Sequence, residues 1–108
     1  MATLDLLQGT LDLLILKTLS WGPMHGYSVA RLIRERSDGA FLIEEGALYP
    51  ALHRLERQGW IESDWGLSEN NRKAKFYQLT ARGRAQLRAE VATWQRYTKA
   101  VAGVLEPA

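Results

Sequence analysis

Two short stretches carry the side chains whose types and spacing could do chemistry. The first, Gly46–Trp60 (GALYPALHRLERQGW), sets Ala47, Tyr49, Pro50, His53, Arg54 and Arg57 mostly away from an apolar stripe of Leu48, Leu52 and Leu55 at helical spacing. The second, Asn70-Asn71-Arg72-Lys73 with Lys75 just behind, is a basic, polar run between two apolar segments. The chemistry they suit is non-covalent recognition of nucleic acid. A small Ala permits close approach, Tyr and His donate to phosphates or base edges, and Arg pairs with phosphate or guanine. A basic exposed loop can lie along a phosphate backbone or reach into a minor groove. Taken singly, each stretch also has a plainer reading, an amphipathic surface helix for the first and a solvated turn for the second.

Enzymatic chemistry finds no comparable footing, so no enzyme, metal or cofactor is expected. The two histidines, His25 and His53, lie far apart, and the sequence sets no metal-ligand cluster around either. There is no phosphate-binding glycine loop and no nucleophile elbow. Glu44 and Glu45 are adjacent, so at a helix start they diverge instead of facing one substrate. With no cysteine there is no thiolate site, thiol nucleophile or disulfide framework. His25 reads as a structural or surface residue, with phosphate contact as its alternative.

Positioning the two stretches is the task of the rest of the chain. At 108 residues it has room for one compact domain, and 46% hydrophobic residues with four Trp argue for a packed core. The net charge of +2 permits nucleic-acid binding without requiring it. The opening MATLDLLQGTLDLL has no basic lead and contains Asp5 and Asp12, which makes a poor signal peptide. No run approaches the roughly 20 apolar residues that span a bilayer. A soluble cytoplasmic protein without membrane association is the expectation.

In chain order, a first helix is predicted from Gln8 to the Gly22-Pro23 break, apolar on most sides and therefore buried on most sides. Gly26–Arg36 is a second helix, with Tyr27, Ala30 and Ile33 on one face and Ser37-Asp38-Gly39 as its exit turn. About nine residues lead to the central helix. Pro50, which lacks an N–H, belongs in a first turn, so that helix starts near Gly46 and stops at Gly59. Trp60–Trp65 alternates with period two and Lys75–Leu79 is a second strand, so the two make a β-hairpin around a polar Gly66–Lys73 loop. Thr80 caps a last helix from about Ala81 to Leu105. On it, Leu87, Val91, Trp94, Thr98, Val101 and Leu105 are spaced 4, 3, 4, 3, 4, a heptad seam with one polar position. A symmetric dimer is the simplest way to bury that seam, and folding back onto the first helix is the other. The favoured reading combines them, with the first and last helices building the interface together. In such a dimer Trp94 could meet its mate and form a slot for a small, flat aromatic effector, or simply be interface core. Trp21, Trp60 and Trp65 read as core or edge residues.

The predicted fold is thus mainly α with a small β-hairpin, a winged helix-turn-helix domain over residues 1–80 with a dimerisation helix over 81–108. In that geometry the third helix enters the major groove and the wing touches flanking DNA. The two weak signals then support each other. Ala47, Tyr49, Pro50, His53 and Arg54 become the groove face, and Asn71, Arg72, Lys73 and Lys75 the wing contacts.

The chain also resembles the PadR family of bacterial transcriptional regulators. The residues that carry the resemblance are Leu11–Leu19 with Gly22-Pro23-Met24-His25-Gly26-Tyr27, the run Gly46–Glu56 (GALYPALHRLE), Gly59-Trp60-Ile61, Lys75–Thr80 (KFYQLT) and Gly83-Arg84. It implies a homodimeric winged-helix repressor of double-stranded DNA whose affinity falls when a small molecule binds. It implies DNA contacts at Tyr49, Arg72 and Lys73. Ala74 stands where many members carry a further basic residue, and the chain stops after one long helix, as the short members do. The alternative is a winged helix used as a protein-interaction module or antirepressor, in which Tyr49 and the wing charges could be replaced without loss of function.

Overall fold

Local signals set most of the elements seen in the computed structural model, which describes residues 3–7 and 9–107. Helix α1 spans Thr10–Leu19, entered through Gly9 at φ 86°. Its expected start at Gln8 lies outside the described residues. Helix α2 spans Gly26–Arg36, as its periodicity predicts. Helix α3 spans Glu45–Arg57, with Pro50 tolerated in its early turns. Gly59 follows at φ 77°, a left-handed conformation that glycine adopts without strain. Helix α4 spans Ala81–Leu105, again as predicted.

The β structure is larger than a hairpin. Strand β1 (Met24–His25) is short and was not predicted; β2 spans Ile61–Leu67 and β3 spans Lys73–Leu79. They form an antiparallel sheet in the order β1-β3-β2. β1 pairs Met24 with Tyr77 and His25 with Phe76, while β2 and β3 pair from Ile61↔Leu79 out to Leu67↔Lys73. The predicted Gly66–Lys73 loop is therefore only Ser68–Arg72. Gly66, Leu67 and Lys73 continue the ladder, because backbone pairing does not require apolar side chains on an arm that overhangs solvent.

The core gathers one stripe from each helix against the base of the sheet. Ile15, Leu16 and Leu19 of α1, Val29 and Ile33 of α2, and Leu48, Ala51, Leu52 and Leu55 of α3 meet Ile61, Tyr77 and Leu79. Leu87 of α4 joins them and Val91 packs against the cluster. Two residues expected at a dimer interface are thus held by their own subunit. The seam divides here because α4 leaves the domain after about three turns. No helix among the described residues is long and apolar enough to cross a membrane.

Thr80 fastens the end of the sheet to α4. Its hydroxyl donates to the Gly59 carbonyl at 2.7 Å and accepts from the Gly83 N–H at 3.0 Å, and its own N–H donates to the Trp60 carbonyl at 3.1 Å. Thr80→Ala should lose both the cap and a partly buried bond, about 2 kcal/mol together. For a domain of this size that lowers the melting temperature by about 10 °C. Thr80→Ser should recover most of it in the same thermal melt, and an alanine variant that melts with the wild type would contradict this account.

Candidate nucleic-acid interface

The exposed face of α3 and the inner face of the wing form the two walls of one cleft. On α3, Leu48, Ala51, Leu52 and Leu55 are buried. The opposite stripe is Gly46, Pro50, His53 and Arg57, spaced 4, 3, 4, and all four are exposed. A Cβ at Gly46 would meet nothing within 4 Å, so the start of the helix is open to close approach. Tyr49 flanks this stripe on the side of the wing and is 39% exposed. Its ring lies against Gly26, where an added Cβ would sit 3.1–3.3 Å from the Tyr49 ring and hydroxyl. Glycine at the start of α2 therefore permits the Tyr49 rotamer that borders the cleft.

The structure separates the expected groove residues into two sets. Tyr49, Pro50 and His53 share the open face with Arg57. Ala47 and Arg54, one heptad apart, lie on the flank. There the Arg54 guanidinium donates to the Asp12 carboxylate of α1 at 2.9 Å. A pair this exposed contributes at most about 1 kcal/mol, so Arg54 can exchange Asp12 for a phosphate at little cost.

The wing supplies the other wall. Strand alternation sends Ile61, Ser63, Trp65 and Leu67 to the same face as their partners Leu79, Tyr77, Lys75 and Lys73. At the base this face packs on the core, where the Ser63 hydroxyl donates to Glu56 of α3 at 2.6 Å. Burial, with the nearby Glu56 carboxylate and then Tyr49, pushes the Tyr77 phenol above its ordinary range and keeps it protonated. Beyond the base the same face overhangs α3. The resulting cleft, about 710 Å³, is lined by Tyr27, Tyr49 and His53 on one side and Trp65, Arg72, Lys73 and Lys75 on the other. Asn71 sits at the tip with φ 60°, its N–H donating to the Ser68 carbonyl at 2.8 Å. Its identity is accounted for by the turn, since Asn tolerates that conformation. His25 has a structural part and also lines the cleft. It caps α2, its Nδ1 accepting from the Ser28 N–H at 3.3 Å, and its ring stands edge-on to Phe76. Tyr27, 67% exposed at the cleft mouth, is grouped with Ala30 and Ile33 by helical periodicity, which does not single it out as a cleft residue.

A second concavity lies between α1 and α4, about 430 Å³, lined by Leu7, Leu13, Glu90, Trp94 and Tyr97 among others. Trp94 stacks on Tyr97 at 6.2 Å within one chain. Burial pushes the Glu90 carboxyl above its usual range; a bond from Gln86 opposes that rise and the charge of Asp12 adds to it. Further out, Thr98 donates to the Trp94 carbonyl of its own helix at 3.0 Å. The large apolar side chains still exposed on α4 are Trp94, Tyr97, Val101, Val104 and Leu105. Tyr97 and Val104 were not expected among them. Among the described residues no group of three or more His, Asp or Glu side chains could hold a metal ion.

Comparison with known proteins places this geometry. The model of the transcriptional regulator PadR-like family matches residues 15–89. The transcriptional regulator Rv3488 of Mycobacterium tuberculosis is 32% identical over 80 residues, 74% of this chain and 71% of that protein. A transcriptional regulator from Clostridium thermocellum superposes with a TM-score of 0.83 at 29% identity, covering 92% of this chain and 96% of that one. A PadR family transcription regulator from Clostridium difficile superposes with a TM-score of 0.80 at 30% identity, covering 91% of this chain and all of that one.

Proposed function

This chain belongs to the PadR-like family of transcriptional regulators, and from that premise we propose that it reads duplex DNA as a cytoplasmic homodimeric repressor. The family and the solved relatives are transcriptional regulators, not enzymes. The observation that carries the DNA reading is the two-walled cleft. One wall is the open face of α3 with Tyr49 and His53, the other a wing bearing Arg72, Lys73 and Lys75. In this reading α3 enters a major groove and the wing follows the flanking backbone. Residues 1–80 read the DNA and α4, within residues 81–108, pairs the subunits. The two recognition helices then fall in successive major grooves, roughly 34–36 Å apart.

Pairing is supported by the outer half of α4. A solvated helix with Trp94, Tyr97, Val101, Val104 and Leu105 exposed on it has little to stabilise it alone, and a second copy of the same helix supplies the missing cover. The groove beside Trp94 suits a small aromatic effector that releases the repressor, with Trp94 and Tyr97 stacking on it.

Fluorescence anisotropy on the DNA upstream of its own coding region, with excess scrambled competitor, tests the reading. Binding should survive competitor and weaken with salt. Arg72→Ala/Lys73→Ala should bind more weakly and with a salt slope shallower by about two, one for each phosphate that is no longer neutralised. No binding by the folded protein at low salt would move the weight to a protein-interaction module.

A further inference from the structure

We propose that Trp65 is a DNA-contacting residue, an apolar wedge on the inner face of the wing that packs against deoxyribose while the cations beside it hold the phosphates. The proposal deepens the DNA-binding reading and rests on it. Trp65 is 60% exposed, although its strand neighbours on the same face, Ile61 and Ser63, pack inward. An aromatic of this size buries on the order of 150–250 Å² when covered, and most of the Trp65 surface is left open. Its placement follows from register. Trp65 stands opposite Lys75, and Leu67 opposite Lys73, so an apolar row on β2 lies beside a row of lysines on β3 on one face. The Lys73 ammonium lies 5.6 Å from the centre of the Trp65 ring, a cation–π contact that steadies both side chains on the wall of the cleft.

Charge decides what can occupy that wall. Around it stand Arg72, Lys73 and Lys75, and the side chains lining the cleft include no carboxylate among the described residues. The acidic residues of the wing strands are sorted to the other face, where Glu62 pairs with Gln78 and Asp64 with Phe76, and Glu69 of the tip loop is not among the residues that line the cleft. An occupant that suits this face is anionic along the lysine row and apolar along the row beside it. A sugar–phosphate strand meets that description, with phosphates for the lysines and the C–H edges of deoxyribose for the indole. The apolar contact adds a part of the affinity that does not depend on counterion release, which distinguishes it from the lysines.

The contact is to the backbone, so any duplex reports on it, and a random-sequence duplex at low salt serves beside the upstream fragment. Trp65→Ala should weaken binding about tenfold at every salt concentration with an unchanged salt slope, within the range of aromatic contacts to nucleic acid. Trp65→Phe should keep most of the affinity. Lys73→Ala should instead flatten the slope by about one. Duplex should quench the intrinsic Trp fluorescence of the wild type, and the quench should shrink in Trp65→Phe. Far-UV circular dichroism confirms that each variant is folded. Wild-type affinity and quenching in both Trp65 variants, with the wild type itself binding, would overturn the wedge and leave the DNA reading standing. A folded wild type that binds no duplex would overturn both.

Discussion

Gly83→Ala should melt about 10–20 °C below the wild type, because the added methyl meets main chain more closely there than at any other glycine among the described residues. Gly83 lies in the first turn of α4, buried against the strand exit. A Cβ at that position would fall inside the van der Waals envelope of the Trp60 carbonyl oxygen, 2.8 Å from the Trp60 carbonyl carbon and 3.2 Å from a Leu79 methyl. The obstruction is backbone, and that backbone is itself held, because the Trp60 carbonyl accepts from the Thr80 N–H. Neither partner can rotate away. Replacing Gly by Ala inside a helix ordinarily gains about 1 kcal/mol. Here overpacking opposes that gain, and its usual cost of about 1–3 kcal/mol is a lower bound when main chain is struck. A net loss of about 2–3 kcal/mol corresponds to the stated shift at about 4–8 °C per kcal/mol. Thermal unfolding followed at 222 nm measures it. A variant melting within two or three degrees of the wild type would mean that α4 does not start against Trp60 as described.

Val101→Glu should separate the subunits while leaving each domain folded. Val101 is 38% exposed on the outer half of α4, beyond the last side chains that pack on the core. In the dimer proposed above, a carboxylate there would face its own copy across the two-fold axis, and each dimer would bury two like charges in an apolar seam. The mass in solution, by size exclusion with light scattering, should fall to that of one chain. Affinity for a two-half-site operator should drop by on the order of 10²–10⁴, because the second half-site is no longer delivered at high effective concentration. The melt of the domain should change little. A variant that stays dimeric would relocate the interface, and a monomer with undiminished affinity would remove the need for pairing in DNA recognition.

Together the two substitutions divide α4 by function. Its first turns, through Gly83, Leu87 and Val91, belong to the fold. From Trp94 onward its exposed residues are available to a partner. The predicted seam runs through both halves because a heptad repeat registers apolar spacing and not what covers it. The repeat also misses Tyr97 and Val104, since the exposed stripe drifts once the helix leaves the domain.

The limits of α2 and α4, the buried stripe Leu48–Leu52–Leu55 and the Thr80 cap were all legible in the chain. Each depends on interactions within one or two helical turns, and those leave a period or a capping residue in the sequence. The order of elements was legible for the same reason. Tertiary structure alone decided the rest. β1 is two residues long and exists only because β3, some fifty residues later, offers it a ladder. Arg54 finds its carboxylate partner in Asp12, 42 positions earlier. Trp65 looks like a core or edge residue by composition, and only the overhang of the wing beyond α3 makes its face a cleft wall. In every such case the deciding partner is distant in sequence. A chain records the period of its own turns, but which face finds a neighbour is settled when the elements pack.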